Sequence, residues 1–200
     1  MSAVSEWIVR EYFECMGFLV RQPRKYQVSA RPKHVEEEVD LLVINPAIAE
    51  PSLSESILWT GAEVQQMSRA VVGVRGWHTE RFSTAVIELS PEIFRFAESA
   101  AVKNIERDLG PGPVAKVLCL PNLPTSGSSR DEALQLLKEK GINGVILFRT
   151  MLLELAESVD VNKNYEKSDL LQVLRILKNY DLLKDAQMDL FRRRHKARKP

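Results

Sequence analysis

The stretch from Val35 to Ile44 constrains the fold most. It opens with three consecutive glutamates, Glu36, Glu37 and Glu38. Val39 and Asp40 follow, and from Leu41 to Ile44 every residue is apolar. A short run without alternation is the pattern of a strand covered on both faces. The segment therefore reads as a charged, partly exposed strand entering a covered sheet, and Asn45-Pro46 stops it. Positions i and i+2 of a strand share a face, so Glu36, Glu38 and Asp40 point the same way. A carboxylate where a strand enters its apolar core is costly unless it is paired, hydrated or bound to a metal. Asp40 thus has the most to explain. A salt bridge at the sheet end is its plainest alternative, and simple exposure accounts for Glu36 and Glu37.

The rest of the chain supplies further strands and helices. Residues 4 to 16 form an amphipathic helix through Val4, Ile8, Tyr12 and Cys15, with Gly17 as its stop. Strands are predicted over 18–24, 70–74, 114–120 and 144–149. A long helix is predicted over 91–109, with Ser90 as N-cap and Pro91 in its first turn. Ser129-Arg130-Asp131-Glu132 matches a capping box and opens a helix to Lys140, closed by Gly141. Helices follow over 151–158 and from Ser168 or Asp169 to Tyr180, the last burying Leu170, Leu171, Leu174 and Leu177. The order predicts an α/β fold: a mixed central sheet flanked by helices, with additional C-terminal helices. The domain boundaries expected are 1–150 for the α/β domain, 151–191 for a helical extension packed on it, and 192–200 for a basic tail.

Composition narrows the class. The chain has 200 residues, 44% hydrophobic and 28% charged, which excludes a collagen, a disordered tail protein and a disulfide-stapled miniprotein. Cys15 and Cys119 form no Cys-x-x-Cys pair, so both read as small buried hydrophobes in a reducing compartment. No leader pattern and no apolar run of spanning length are visible, so a cytoplasmic protein without a membrane partner is expected.

A helix, then Gly17-Phe18-Leu19-Val20, then Glu38-Val39-Asp40-Leu41-Leu42, then an apolar strand ending in the basic Arg75, resembles the PD-(D/E)XK nuclease superfamily over roughly residues 5 to 150. The resemblance implies the restriction-endonuclease-like core, αβββαβ. It implies that a helical glutamate, matched best by Glu11, and the strand aspartate, matched by Asp40, hold Mg²⁺ or Mn²⁺, with Glu38 beside them. Hard carboxylate oxygens suit such an ion, and the ion stabilises charge building at phosphorus. The family's Glu-x-Lys falls on Gly73-Val74-Arg75. Gly73 offers no ligand, and Arg75 replaces a lysine with a base that does not release its proton, although a guanidinium still grips phosphate. Glu63 and Glu80 are the carboxylates nearest in sequence that a rearranged site would use.

Charge distribution points to possible partners. The net charge of +1 conceals +6 in the last nine residues and −5 over residues 1–191. Arg192, Arg193 and Arg194 in that tail form an electrostatic handle for DNA or RNA, unless they cap a helix end or dock on a second copy. Arg24 and Lys25 belong to a second basic cluster, near the substrate groove in a nuclease-like fold. Trp77 and His78 stand next to Arg75, placed to stack on a base or to tuck under a loop. Thr125 to Ser129 lacks the Gly-Lys-Ser/Thr of a phosphate-binding loop and reads as a capping loop. The leading expectation is a catalytically impaired nuclease homologue that binds nucleic acid or a protein partner. The alternatives are an active Mg²⁺- or Mn²⁺-dependent phosphodiesterase with a migrated carboxylate, and a non-catalytic homodimer using the leucines of the last helix.

Overall fold

The computed structural model describes residues 3–23, 39–48, 53–98 and 113–183. By chain contacts it divides into two units, one ending at Leu152 and the other starting at Leu153. The first unit holds a five-stranded mixed sheet with the strands in sequence order: β1 (Leu19–Arg21), β2 (Leu41–Ile44), β3 (Arg69–Val74), β4 (Ala115–Leu120) and β5 (Gly144–Leu147). β2 runs antiparallel to β1 and β3, whereas β3, β4 and β5 run parallel. The sheet is mixed as expected, and the fold is α/β.

Helix α1 (Ala3–Cys15) packs against β1, β2 and β3. Gly17 takes a left-handed φ of 87°, letting Gly17 N–H reach Glu14 O at 3.0 Å and Phe18 N–H reach Phe13 O at 3.0 Å. These two bonds form a Schellman stop, for which glycine carries no Cβ penalty. The turn drops Phe18 onto Phe13, ring centroids 5.4 Å apart, and β1 starts directly after it.

Period-two alternation divides the core between the sheet faces. Leu42, Val71, Leu118, Leu120 and Val145 share one cluster with Phe82, Ile87, Ile93, Phe96 and Leu137. Leu41, Val43, Val72, Val74, Cys119 and Ile146 alternate with them and are also buried, which places them on the other face. Both faces are therefore covered, as the continuous apolar runs require.

Three local expectations are corrected. First, the described part of the helix predicted over Pro91 to Leu109, residues 91–98, is not α-helical: it consists of two 3₁₀ turns at Pro91–Ile93 and Arg95–Ala97, preceded by a separate short helix α3 (Thr84–Leu89) capped by Ser83; residues 99–112 lie outside the described residues. Second, the capping box at Ser129 does not open its helix. α4 runs from Gly127 to Glu139 with Ser126 as N-cap, so Ser129 already lies within the first turn. Third, Cys15 is exposed at the end of α1, not buried. Partial desolvation of its thiol and the charges of Glu11 and Glu14 push its pKa up to about 11. Cys119 is fully buried and shifted further upward, chiefly by desolvation, so it behaves as the expected small hydrophobe.

The outer edge of β5 is covered by a strap from the loop before α2 (Gly61–Val64). Val145 N–H donates to Ile57 O at 2.7 Å, and Trp59 N–H donates to Val145 O at 2.8 Å. The Trp59 indole lies against Gly144, and a Cβ at that position would collide with its six-membered ring. Its Nε1–H is satisfied by Ser56 O at 2.7 Å. Such cover blunts an edge that would otherwise pair with another chain.

α5 (Phe148–Ser158) follows β5 without a loop. In the second unit, α6 (Asp169–Asn179) starts where expected, with Ser168 as its N-cap and Ser168 Oγ accepting Leu171 N–H at 3.2 Å. Leu171 and Leu174 are its buried residues, while Leu170 and Leu177 are half-buried. Among the described residues no helix is long and apolar enough to cross a membrane. Gly144→Ala is expected to destabilise the first unit by about 1–3 kcal/mol through overpacking against Trp59. A lowered urea midpoint, followed by the shift of Trp59 emission, checks this.

Candidate functional site

The site grows from the carboxylate singled out by the sequence. Asp40 lies one residue before β2 and is fully buried. Its N–H donates to Val72 O at 3.2 Å, extending the ladder beyond Leu41. Since Leu41 pairs with Val72, the ladder carries Asp40 opposite Gly73, on the same face. Arg75 lies two residues beyond Gly73 and so projects to that face as well. Asp40, Gly73 and Arg75 thus meet at the carboxyl end of β3.

Their chemistry is not that of a metal site. Asp40 Oδ2 accepts Val74 N–H at 2.7 Å and Arg75 Nη1–H at 3.0 Å. Arg75 is only 3% exposed. Its Nη1 also donates to Val74 O at 2.9 Å, and its Nη2 donates to Glu92 O at 3.2 Å and Ile93 O at 2.8 Å. The guanidinium carbon lies 5.6 Å from the centroid of the Phe96 ring, within cation–π range. Phe96 also lies directly over Gly73: a Cβ there would come within 2.5 to 2.9 Å of the ring. Thus the slot that the resemblance assigns to a glutamate is filled by a phenyl ring, and the slot assigned to lysine holds a buried counter-ion. A buried ion pair is tolerable when its remaining donors and acceptors are satisfied, and Arg75 meets that condition through three carbonyls.

These residues do not fit a divalent cation. Mg²⁺ binds through open carboxylate oxygens and keeps several waters. Here Asp40 Oδ2 already accepts two hydrogen bonds, and a cation placed beside it would face the Arg75 guanidinium in a low-dielectric interior. Glu11 is buried on α1, where its charge acts on the Cys15 thiol. Glu63 closes a capping box on α2, accepting from Thr60 Oγ1 at 2.6 Å and Thr60 N–H at 2.7 Å, and these bonds hold its carboxyl below the usual range. Glu80 is exposed on the loop after β3. Among the described residues no group of three or more His, Cys, Asp or Glu is placed to hold a metal ion. Glu38, Arg24, Lys25, Arg192, Arg193 and Arg194 lie outside the described residues. Arg75, anticipated as a phosphate-gripping base, is corrected to an internal counter-ion, because its bonded guanidinium nitrogens are committed inside the fold.

An open cleft of about 710 Å³ lies just past the ion pair, lined by Gly76, Trp77, His78, Thr79, Glu80, Val86, Leu89 and Ser90. Trp77 stacks on buried Phe82 with centroids 5.5 Å apart and planes 15° from parallel. His78 Nε2 lies 3.1 Å from the buried Ser5 hydroxyl, and its ring meets Phe148 edge-on at 4.8 Å. Gly76 is required here, since a Cβ would strike the Ser5 side chain. Ser5 is only 1% exposed, which makes it an anchor for His78 and not a nucleophile open to substrate.

Two features of this site were missed by sequence reasoning. One is Phe96; the other is the pair of carbonyls at Glu92 and Ile93. Gly73 carried a signal for the first, because a glycine inside an otherwise branched strand marks a close approach. Nothing local marks the second. Comparisons with family models, curated proteins and solved structures find no match for this chain.

Arg75→Met strands the Asp40 carboxylate in the core, and about 3–5 kcal/mol of stability is expected to be lost. Adding Asp40→Asn is expected to recover part of that loss, since a neutral amide needs no counter-ion. Urea unfolding of the two single variants and the double variant measures the coupling.

Proposed function

We propose that this chain is a restriction-endonuclease-like domain that binds nucleic acid without cleaving it. Support for the fold comes from the element order, with a leading helix, a three-strand meander and then parallel strands, and from Asp40 and β3 meeting where that core keeps its catalytic groups. The observation that carries the non-cleaving half is the Asp40–Arg75 ion pair, closed over by Phe96 on Gly73. In this reading the ancestral metal site has become a structural ion pair. The pair satisfies the buried carboxylate and ties the 3₁₀ turns to the end of β3. Phosphodiester hydrolysis needs a centre that neutralises charge at phosphorus, and among the described residues no group of three or more His, Cys, Asp or Glu is placed to hold a metal ion for it.

The binding half rests on charge. The last nine residues carry +6, and a cluster of that density releases counter-ions when it meets a phosphate backbone. At the described end of the sheet, Arg81 is exposed and donates to Thr125 Oγ1 at 3.0 Å, which leaves a cation beside the cleft.

The test is a gel-shift series on duplex, branched and single-stranded DNA and on RNA over 50 to 300 mM salt, in EDTA and in Mn²⁺. Binding is expected to weaken with salt and to be indifferent to Mn²⁺. Replacing Arg192, Arg193 and Arg194 with alanine is expected to lower the salt slope by about 3 if all three meet phosphates. Supercoiled plasmid incubated with Mg²⁺ or Mn²⁺ should remain intact. Nicking that co-purifies with the protein and disappears in Asp40→Asn would overturn the non-cleaving half. Absence of salt-dependent binding to every substrate would overturn the binding half.

A further inference from the structure

We propose that the cleft beyond β3 captures a single unstacked nucleobase, with Trp77 as its platform and Glu80 as the group that reads its edge. When the base belongs to a strand, this rests on the nucleic-acid reading above; when it belongs to a free nucleotide, it does not.

The cleft is built for a flat ligand. An indole has two faces, and one face of Trp77 is occupied by Phe82, which is itself fully buried and tied down by Phe82 N–H donating to Asn122 O at 3.1 Å. Trp77 also lines the cleft, and its stack on Phe82 steadies it there. Val86 and Leu89 of α3 line the same cleft, and Leu89 is 83% exposed. An indole and aliphatic side chains thus line one cleft, a lining that suits a planar ring. Stacking of this kind serves every base, because every base has a π-face.

Polar groups complete the lining. Glu80 N–H donates to Trp77 O at 2.9 Å, closing a turn, and both residues line the cleft. Thr79 and Ser90 add hydroxyls. An aliphatic ligand would leave these groups without use, whereas a heterocycle with N–H donors on its edge uses the platform and the polar groups together. Guanine offers N1–H and N2–H side by side, matching the two oxygens of one carboxylate. The slot is also set before any ligand arrives: His78 is pinned between Ser5 and Phe148, and Trp77 rests on Phe82. A preformed site loses less to ordering on binding. Its volume of about 710 Å³ is that of a small-molecule site.

Two probes separate the sources of the base. The first is a single-stranded 12-mer with 2-aminopurine at one position, and stacking on Trp77 should quench its emission when the full-length protein binds. The second is guanosine monophosphate, which should quench tryptophan emission in the protein but not in Trp77→Phe. Trp77→Ala is expected to weaken capture about tenfold or more, and Trp77→Phe should retain the 2-aminopurine quench. Should Trp77→Ala fail to fold, Leu89→Glu, at an exposed position, is expected to block the slot with the same loss. Glu80→Gln is expected to erase a preference for guanine over adenine. Quenching by either probe, abolished by Leu89→Glu, supports the proposal and identifies the source. Binding of the 12-mer with unchanged 2-aminopurine emission, and no response to the mononucleotide, would overturn base capture while leaving nucleic-acid binding intact. Silence from both probes would overturn it outright.

Discussion

The ion pair between Asp40 and Arg75 organises the first unit. Two charged side chains in a covered sheet are expensive, and they persist here because their bonds reach several other elements. Val74 N–H bonds the carboxylate, and the guanidinium takes the carbonyls of Val74, Glu92 and Ile93. The pair thereby joins the approach to β2, the end of β3 and the 3₁₀ turns that follow α3. Phe96 contributes to the same arrangement from above, with its ring over the guanidinium and its edge against Gly73. A larger residue at position 73 would displace the ring, so the absence of a side chain there is as much a part of the assembly as the charges are.

This arrangement also explains the largest departure from sequence expectation. Pro91 to Leu109 carries a helical apolar stripe with a good N-terminal signal, yet its described part is two 3₁₀ turns. A continuous α-helix would use Glu92 O and Ile93 O to accept the N–H groups of Phe96 and Ala97. Those carbonyls are turned to Arg75 instead. A buried guanidinium has five donors to satisfy, and local propensity is too weak to hold carbonyls against that demand. The competitor lies 17 or more residues away in the chain. No window-based reading of 91–109 sees it.

Other parts were legible because their causes are local. β2 and β5 read as short unbroken apolar runs, and both faces of the sheet are covered. Gly17 read correctly as a stop, and the last helix was placed correctly to start at Ser168 or Asp169, since each signal acts within its own turn. Asp40 was identified as the carboxylate needing an explanation, and a salt bridge was among the explanations weighed. The identity of its partner was not legible, because Arg75 ends a strand where an exposed base would look the same. Ser129 misled for a related reason: a capping box is a short motif, and the helix found an earlier start at Ser126.

The strap over β5 has a consequence for the growing chain. Ile57 and Trp59 are synthesised long before Val145, the residue whose backbone they cover, and Trp59 has no Gly144 to rest on until the last strand exists. A nascent chain that has completed β4 still has a bare strand edge on the sheet and a loose indole beside it. Closure of the sheet therefore waits until β5 has been synthesised, which makes the interval before β5 emerges the time when a chaperone has most to protect.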